Sequence, residues 1–239
     1  MKEGKMAFKT GSELVENLKV KFPTEIFSYR EPVPRKIYVE IRPEAIGSMA
    51  EYLFRGLGAR FNTIVGIDRR PTHQDFQTTH IFSLDPDKIF VLLQASLDRD
   101  RPEIDSITPI IAGANWAERE IQDLLGIKVN GHIDPRRLAL PDDWPENLHP
   151  LRKDFVYNFR PEPVEGFAPK PVEPPENATV VPIGPFFPVL EEPAVFRVFV
   201  EGETVVGCDY RGFYNHRGIE KIADSVLTYN QIPFLAERI

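Results

Sequence analysis

Cysteine is almost missing from this chain: Cys208 is the only one in 239 residues. An iron–sulfur cluster generally takes four cysteine thiolates. A structural zinc site takes four ligands, mostly Cys and His at close spacing. The five histidines are His73, His80, His132, His149 and His216, and no two stand at ligand spacing. Neither CxxC nor HxxxH occurs. The expectation is a chain with no metal and no cofactor of its own. A lone cysteine also forms no internal disulfide, which fits a reducing compartment. Long apolar runs are lacking too. A stretch such as Ile89 to Leu93 is far too short to span a bilayer, and the N-terminus has no apolar signal core. Positive charge is in deficit, with a net charge of −7. That argues against a nucleic-acid binder, which needs a basic face for phosphates, and weakly against docking on anionic lipid. The expected location is cytoplasmic, reaching a membrane only through partners.

What remains is an ordinary globular composition, 42% apolar, long enough for one sizeable domain with an appendage. Thr10-Gly11-Ser12-Glu13 is capping-box chemistry and opens a helix to about Val20, with Leu14, Val15 and Leu18 as its buried stripe. Ile26–Tyr29 reads as a short strand. Lys36–Ile41 alternates polar and apolar and reads as a half-buried strand. Pro43 suits the first turn of a helix from about Glu44 to Phe54, stopped by Gly56 and Gly58. Asn62–Ile67, Gln77–Leu84 and Lys88–Ser96 read as strands, the last two joined by the turn residues Asp85-Pro86-Asp87. Pro109–Leu125 reads as a helix. The sum is α+β: a mixed sheet with helices on one side, expected to close near residue 159.

From about residue 160 prolines crowd the chain, a composition that favours an extended strap over helix or sheet. Phe196–Val200 and Thr204–Val206 then form a hairpin around Glu201-Gly202-Glu203, and a final helix is expected from Gly218 to about Tyr229. The expected domains are therefore 1–159, a linker 160–182, and 183–239.

Two stretches carry most of the chemistry. The first runs from Glu118-Arg119-Glu120 through Asp123-Leu124-Leu125-Gly126-Ile127, Gly131-His132-Ile133-Asp134-Pro135-Arg136-Arg137-Leu138 and Leu140-Pro141-Asp142-Asp143-Trp144 to His149-Pro150-Leu151-Arg152-Lys153-Asp154-Phe155. Such a polar, proline-bearing loop closes no core by itself. Arg136, Arg137 and Arg152 can pin it through forked pairs to Glu118, Glu120, Asp123 or Asp154. Two readings stand: an ion-paired structural loop, or a rigid docking surface. A catalytic acid at Glu118 or Glu120 has no nucleophile or metal-ligand set near it in sequence.

This stretch resembles the 30 kDa subunit of respiratory complex I, the NADH–quinone oxidoreductase, over about residues 10 to 158. The resemblance implies a compact α+β domain in the peripheral arm. It also implies no cofactor in this chain, and binding to cluster-bearing and quinone-site subunits. The implied interface and motif residues are Glu118, Arg119, Glu120, Asp123, His132, Arg136, Arg137, Arg152 and Asp154.

The second stretch follows the strap: Ile183-Gly184-Pro185-Phe186-Phe187-Pro188-Val189-Leu190-Glu191-Glu192-Pro193, then Asp209-Tyr210-Arg211-Gly212-Phe213-Tyr214-Asn215-His216-Arg217-Gly218-Ile219-Glu220-Lys221. Read plainly, Glu191 and Glu192 are solvated glutamates at a turn, and Glu220 complements a helix dipole. The stretch also resembles the N-terminal part of complex I-like nickel–iron hydrogenase large subunits, of the formate hydrogenlyase and hydrogenase-4 type. Their homologue within complex I begins similarly. The resemblance implies a conditional proton-relay role for Glu192, and places His216, Arg217 and Glu220 in the element before the first nickel-binding motif. Iron–sulfur clusters and a nickel–iron centre are expected in partner subunits: a cluster-bearing small subunit, a catalytic subunit and, indirectly, a membrane arm. Phe187 stands where complex I relatives have histidine, which weakens a quinone role here. The family continues from Glu237-Arg238 with a cysteine motif, whereas this sequence reads Ile239. The alternative expectation is therefore a truncated or selenocysteine-interrupted large subunit with no activity of its own. LEEP and HRGIEK read in the hydrogenase manner. The electron donor stays open.

Overall fold

The computed structural model describes residues 7–167, 171–185 and 192–237. Phe187 and Glu191 lie outside the described residues. The chain forms two compact units, residues 1–136 and 137–239. This division falls inside the polar loop, ahead of the change in composition near residue 160.

Unit 1 opens with α1, Gly11–Lys21. Thr10 caps it, its hydroxyl accepting from the Glu13 amide, while the Glu13 carboxylate accepts from Lys9 N. Leu14, Val15 and Leu18 are fully buried. The strands β1 (Ile26–Val33), β2 (Lys36–Ile41), β3 (Arg60–Asp68), β4 (Phe76–Leu84) and β5 (Ile89–Leu97) form one sheet in the order β1-β2-β5-β4-β3. Only β2 and β5 are parallel, so the sheet is mixed.

Register sets the core. Ile37, Val39 and Ile41 stand beside Val91, Leu93 and Ala95, and Phe82, His80 and Thr78 stand opposite those on β4. All nine are buried. A helical stretch supplies Ile46, Met49, Ala50 and Leu53 to this core. It comprises a 3₁₀ turn at Pro43–Ala45, α2 at Ile46–Glu51 and a π turn at Tyr52–Gly56. The Leu57 amide closes it by donating to Tyr52 O at 2.9 Å. The opposite face of the sheet leaves Val65, Ile67 and Phe90 exposed. Its centre is polar: Gln94 Nε2 donates to Gln77 Oε1 at 3.1 Å and Thr79 Oγ1 at 3.3 Å, and Arg30 Nη2 donates to Gln94 Oε1 at 3.3 Å.

A single turn, α3 (Arg70–His73), links β3 to β4. The short strand β6 (Glu103–Asp105) leads to α4 (Asn115–Leu125) and pairs in parallel with β7 (Lys128–Asn130), which follows it. Helix α4 lies against β3 at Gly66: a Cβ there would meet Leu125 Cδ1 at 2.5 Å and Ile121 Cγ2 at 3.0 Å. Only a residue without a side chain lets the backbones approach this closely. Gly126, with φ +68°, ends the helix in the left-handed conformation.

Unit 2 carries the strands β8 (Thr179–Ile183), β9 (Val195–Glu201) and β10 (Thr204–Arg211) in an antiparallel sheet ordered β10-β9-β8. Helix α5 (Ile219–Ser225) follows, then a 3₁₀ turn at Tyr229–Gln231 and α6 (Ile232–Ala236). Among the described residues no helix is long and apolar enough to cross a membrane.

The α+β expectation holds, and Lys36–Ile41 is a strand with the expected bounds. Four local expectations do not hold. The helix expected from Pro109 begins at Asn115, because the Ile107 amide is committed to the Glu118 carboxylate and fixes a non-helical turn ahead of it. The end of the proline-rich strap enters the sheet as β8, with Pro182 on the sheet edge, where a missing N–H is tolerated. The hairpin's return strand runs on to Arg211. The final helix stops at Ser225, because Thr228 starts a new capping box with Gln231.

Candidate functional site

The densest polar construction in unit 1 surrounds Glu118, near the start of α4. Its side chain is 1% exposed. Oε1 accepts from the Ile107 amide at 2.5 Å; Oε2 accepts from the Ser106 and Thr108 hydroxyls, each at 2.6 Å. Ser106 Oγ in turn accepts from the Thr108 amide at 3.1 Å. A carboxylate can be buried when it collects this many donors, and the first turns of a helix favour negative charge.

His132, whose side chain is 2% exposed, faces the same carboxylate, with Nε2 3.5 Å from Glu118 Oε2. The Asp134 amide donates to His132 Nδ1 at 2.9 Å. The proton of the neutral ring is therefore on Nε2. That nitrogen also lies 3.3 Å from Asn115 O and 3.4 Å from Thr108 Oγ1. Glu118 and His132 thus tie the 106–108 turn and the loop after β7 to one helix.

A second layer holds the rest of that loop. Arg119, one residue along α4, donates from Nε to Arg136 O at 2.8 Å and stands 3.5 Å from Asp134 Oδ2. Gln122 donates to Pro135 O at 3.4 Å. Arg136 forks onto Asp134 with bonds of 2.7 and 2.8 Å. Those bonds, with the charge of Arg119, hold the Asp134 carboxyl below the usual carboxylate range. The sequence reading missed Ser106, Thr108 and Asn115, which lie outside the GHxDxRR run.

Asp123 is buried on α4, whereas Glu120 is exposed. Arg137 belongs to unit 2, where its Nη2 donates to Trp144 O at 2.8 Å. Arg152 is half-buried and Asp154 exposed. Glu192, Arg217 and Glu220 are exposed and His216 is half-buried. The structure therefore brings Glu118, Arg119, His132 and Arg136 together, with Asp123 buried on the same helix. Chemically this is a clamp. Both hydroxyls beside Glu118 spend their protons on it, which leaves no free nucleophile there. Among the described residues no group of three or more His, Cys, Asp or Glu is arranged to hold a metal ion. With Cys208 as the one thiol, exposed on β10, the donors do not make a ligand set for an iron–sulfur or nickel–iron centre.

Residues 39–161, which contain the second half of β2, all of β3–β7 and both polar layers, match the family model of the respiratory-chain NADH dehydrogenase 30 Kd subunit. The chain belongs to that family. It is 36% identical over 233 residues to hydrogenase-4 component G of Escherichia coli (strain K12), an alignment covering 96% of this chain and 42% of that protein. It is 34% identical over 238 residues to formate hydrogenlyase subunit 5 of the same strain, covering 97% of this chain and again 42% of the relative. To the C/D protein of the NADH-quinone oxidoreductase of Phocaeicola vulgatus it is 36% identical over 167 residues, covering 62% of this chain and 32% of the relative. The chain spans less than half the length of these relatives. Among solved structures, the membrane-bound sulfane sulfur reductase, an archaeal respiratory membrane complex, contains a chain that superposes with a TM-score of 0.54 at 18% identity. That likeness covers 61% of this chain and 85% of the other, and concerns the fold alone.

Proposed function

We propose that this 30 Kd-family chain is a peripheral-arm component of a membrane-attached, complex I-like oxidoreductase of the hydrogenase or NADH dehydrogenase type. It carries no cofactor. It docks a cluster-bearing small subunit and the catalytic large-subunit region, and so supports electron transfer coupled to ion translocation. It reaches the membrane arm from the cytoplasmic side through those partners. In evolutionary terms it joins modules at 1–159 and 183–239 through the linker 160–182.

One observation carries this reading. Among the described residues, the buried apolar side chains of unit 2 are Leu138, Ala139, Leu140, Pro150, Ala194 and Phe199. Its exposed ones include Val156, Tyr157, Phe159, Tyr214, Tyr229 and Phe234. A surface of that kind is normally covered by another polypeptide. A large-subunit body is the fitting cover, because both hydrogenase-type relatives extend well beyond the matched region. Glu192, exposed here, would act as a proton relay only within such a completed site, where partial burial moves a carboxyl toward neutrality.

The test is affinity purification of the tagged full chain, co-expressed with a cluster-bearing small subunit and a large subunit of the hydrogenase type. The expected result is a stable complex whose iron–sulfur spectrum belongs to the partners. A soluble monomer that retains neither subunit would refute the proposal.

A further inference from the structure

The loop 131–136 has little apolar hold on the rest of unit 1. Gly131, Ile133 and Pro135 are exposed, Ile133 by 69%. Its anchors are polar: the His132 ring, the Arg119 bond to Arg136 O at 2.8 Å, the longer Gln122 bond to Pro135 O, and Arg119 beside Asp134. The ring serves two sides at once. Its Nε2–H faces acceptors only, Asn115 O at 3.3 Å, Thr108 Oγ1 at 3.4 Å and Glu118 Oε2 at 3.5 Å. Its Nδ1 accepts from the Asp134 amide at 2.9 Å. A neutral imidazole fills both roles. An imidazolium carries a proton on each nitrogen and fills only the first.

We infer that His132 is a proton-sensitive latch: the neutral ring holds residues 133–136 on α4, and the imidazolium releases them. A proton arriving at Nδ1 meets the Asp134 N–H, donor against donor, across 2.9 Å. The same proton strengthens the pull of Glu118 on the ring from 3.5 Å. The ring therefore stays where it is, and the chain beyond it gives way. With that segment displaced, Arg119 and Gln122 on α4 lose the acceptors they now bond. Opening of this local kind belongs to segments with few buried apolar contacts. The other ionisable groups around the ring do not supply the switch. On α4 the Glu118 carboxylate is engaged by three donors. The 106–108 turn offers hydroxyls and amides alone. Within the loop, Arg136 and Arg119 keep the Asp134 carboxyl below the usual carboxylate range. On β6, Glu103 bonds Lys128 and Asn130, and Asp105 is exposed. The latch does not depend on the proposed electron-transfer role.

Amide hydrogen exchange of the full chain tests this, corrected for the intrinsic rate and compared at about pH 7.5 and about pH 5.5, on either side of ordinary imidazole titration. In the parent, protection of the Asp134 amide is expected to fall about ten-fold, the worth of one lost hydrogen bond. His132→Asn keeps an acceptor for that amide but takes no proton, so its protection at Asp134 is expected to hold across the same range. The amides of β4 and β5 should respond alike in both proteins. Asp134→Asn should lower protection at both pH values and keep the response, since the sensor is the ring. Constant protection in the parent, or an equal fall in His132→Asn, would overturn the latch, as would loss of the response in Asp134→Asn. Should His132→Asn not fold, nitrogen NMR of labelled histidine in the parent gives a second readout. Nδ1 is expected to gain its proton in step with the loss of protection at Asp134, and a protonated Nδ1 beside a still-protected amide would refute the proposal.

Discussion

His80 makes the stability of unit 1 depend on pH in a way that a single substitution removes. The side chain is 1% exposed, on the core face of β4 between Ile64 of β3 and Leu93 of β5. Its Nδ1 and the Thr78 Oγ1 on the same face have no hydrogen-bond partner. Burial without a counter-charge disfavours the imidazolium, so the pKa falls from 6.5 to about 3. The unfolded chain therefore binds a proton below pH 6.5 that the folded chain refuses, and stability drops as pH falls, levelling only near the folded pKa. Between about pH 7.5 and about pH 5 that proton costs about 1.5 × 1.36, or about 2 kcal/mol. His80→Leu removes this contribution and leaves the carboxylates in place. Urea unfolding of both proteins at the two pH values isolates it: the parent should lose about 2 kcal/mol more than the variant. Parallel losses in the two proteins would refute the reasoning and mean that His80 gains a proton in the folded state.

Glu118→Gln replaces an acceptor that serves three donors with an amide whose own N–H groups face hydroxyls. It should destabilise the fold by about 2–3 kcal/mol in chemical denaturation. Gly66→Val forces a side chain into Leu125 and Ile121 and should cost about 1–3 kcal/mol through overpacking, read as a lowered urea midpoint. Asp134, with its folded pKa depressed by Arg136 and Arg119, contributes stability that is fully present above its unfolded pKa and is lost as pH falls through the folded value. A side-chain NMR titration should find its midpoint below 3.8, and Asp134→Asn should loosen the amides of 131–136 without altering β4 or β5.

Local pattern made much of unit 1 legible. Lys36–Ile41 alternates, and the structure buries its apolar members; Thr10 and Glu13 announce the start of α1 and bond as that chemistry requires. The family resemblance rested on long mixed motifs and is borne out. What stayed hidden was long-range. Ser106 and Thr108 lie ten or more residues before Glu118, in a segment whose prolines and apolar residues resemble a helix entry. The bonds from Arg211 and Lys221 to the main-chain oxygens of Arg137, Leu140 and Arg152 span about seventy residues, and carbonyl acceptors leave no side-chain pattern to read. In sequence Glu118 reads as a partner for a loop arginine, because its actual donors, an amide and two hydroxyls, are brought in by the fold, and the Arg136 fork goes to Asp134 instead.

Pro182 bears on how the small sheet meets other chains. It sits within β8, the outer strand, opposite Arg197 of β9. A strand arriving at that edge finds one donor missing and a ring where a bond should form, so it cannot extend the ladder in register. The small sheet is thereby guarded against self-templated stacking on its β8 flank. Replacing the proline with threonine would remove that guard, and self-association that grows with concentration would be its signature.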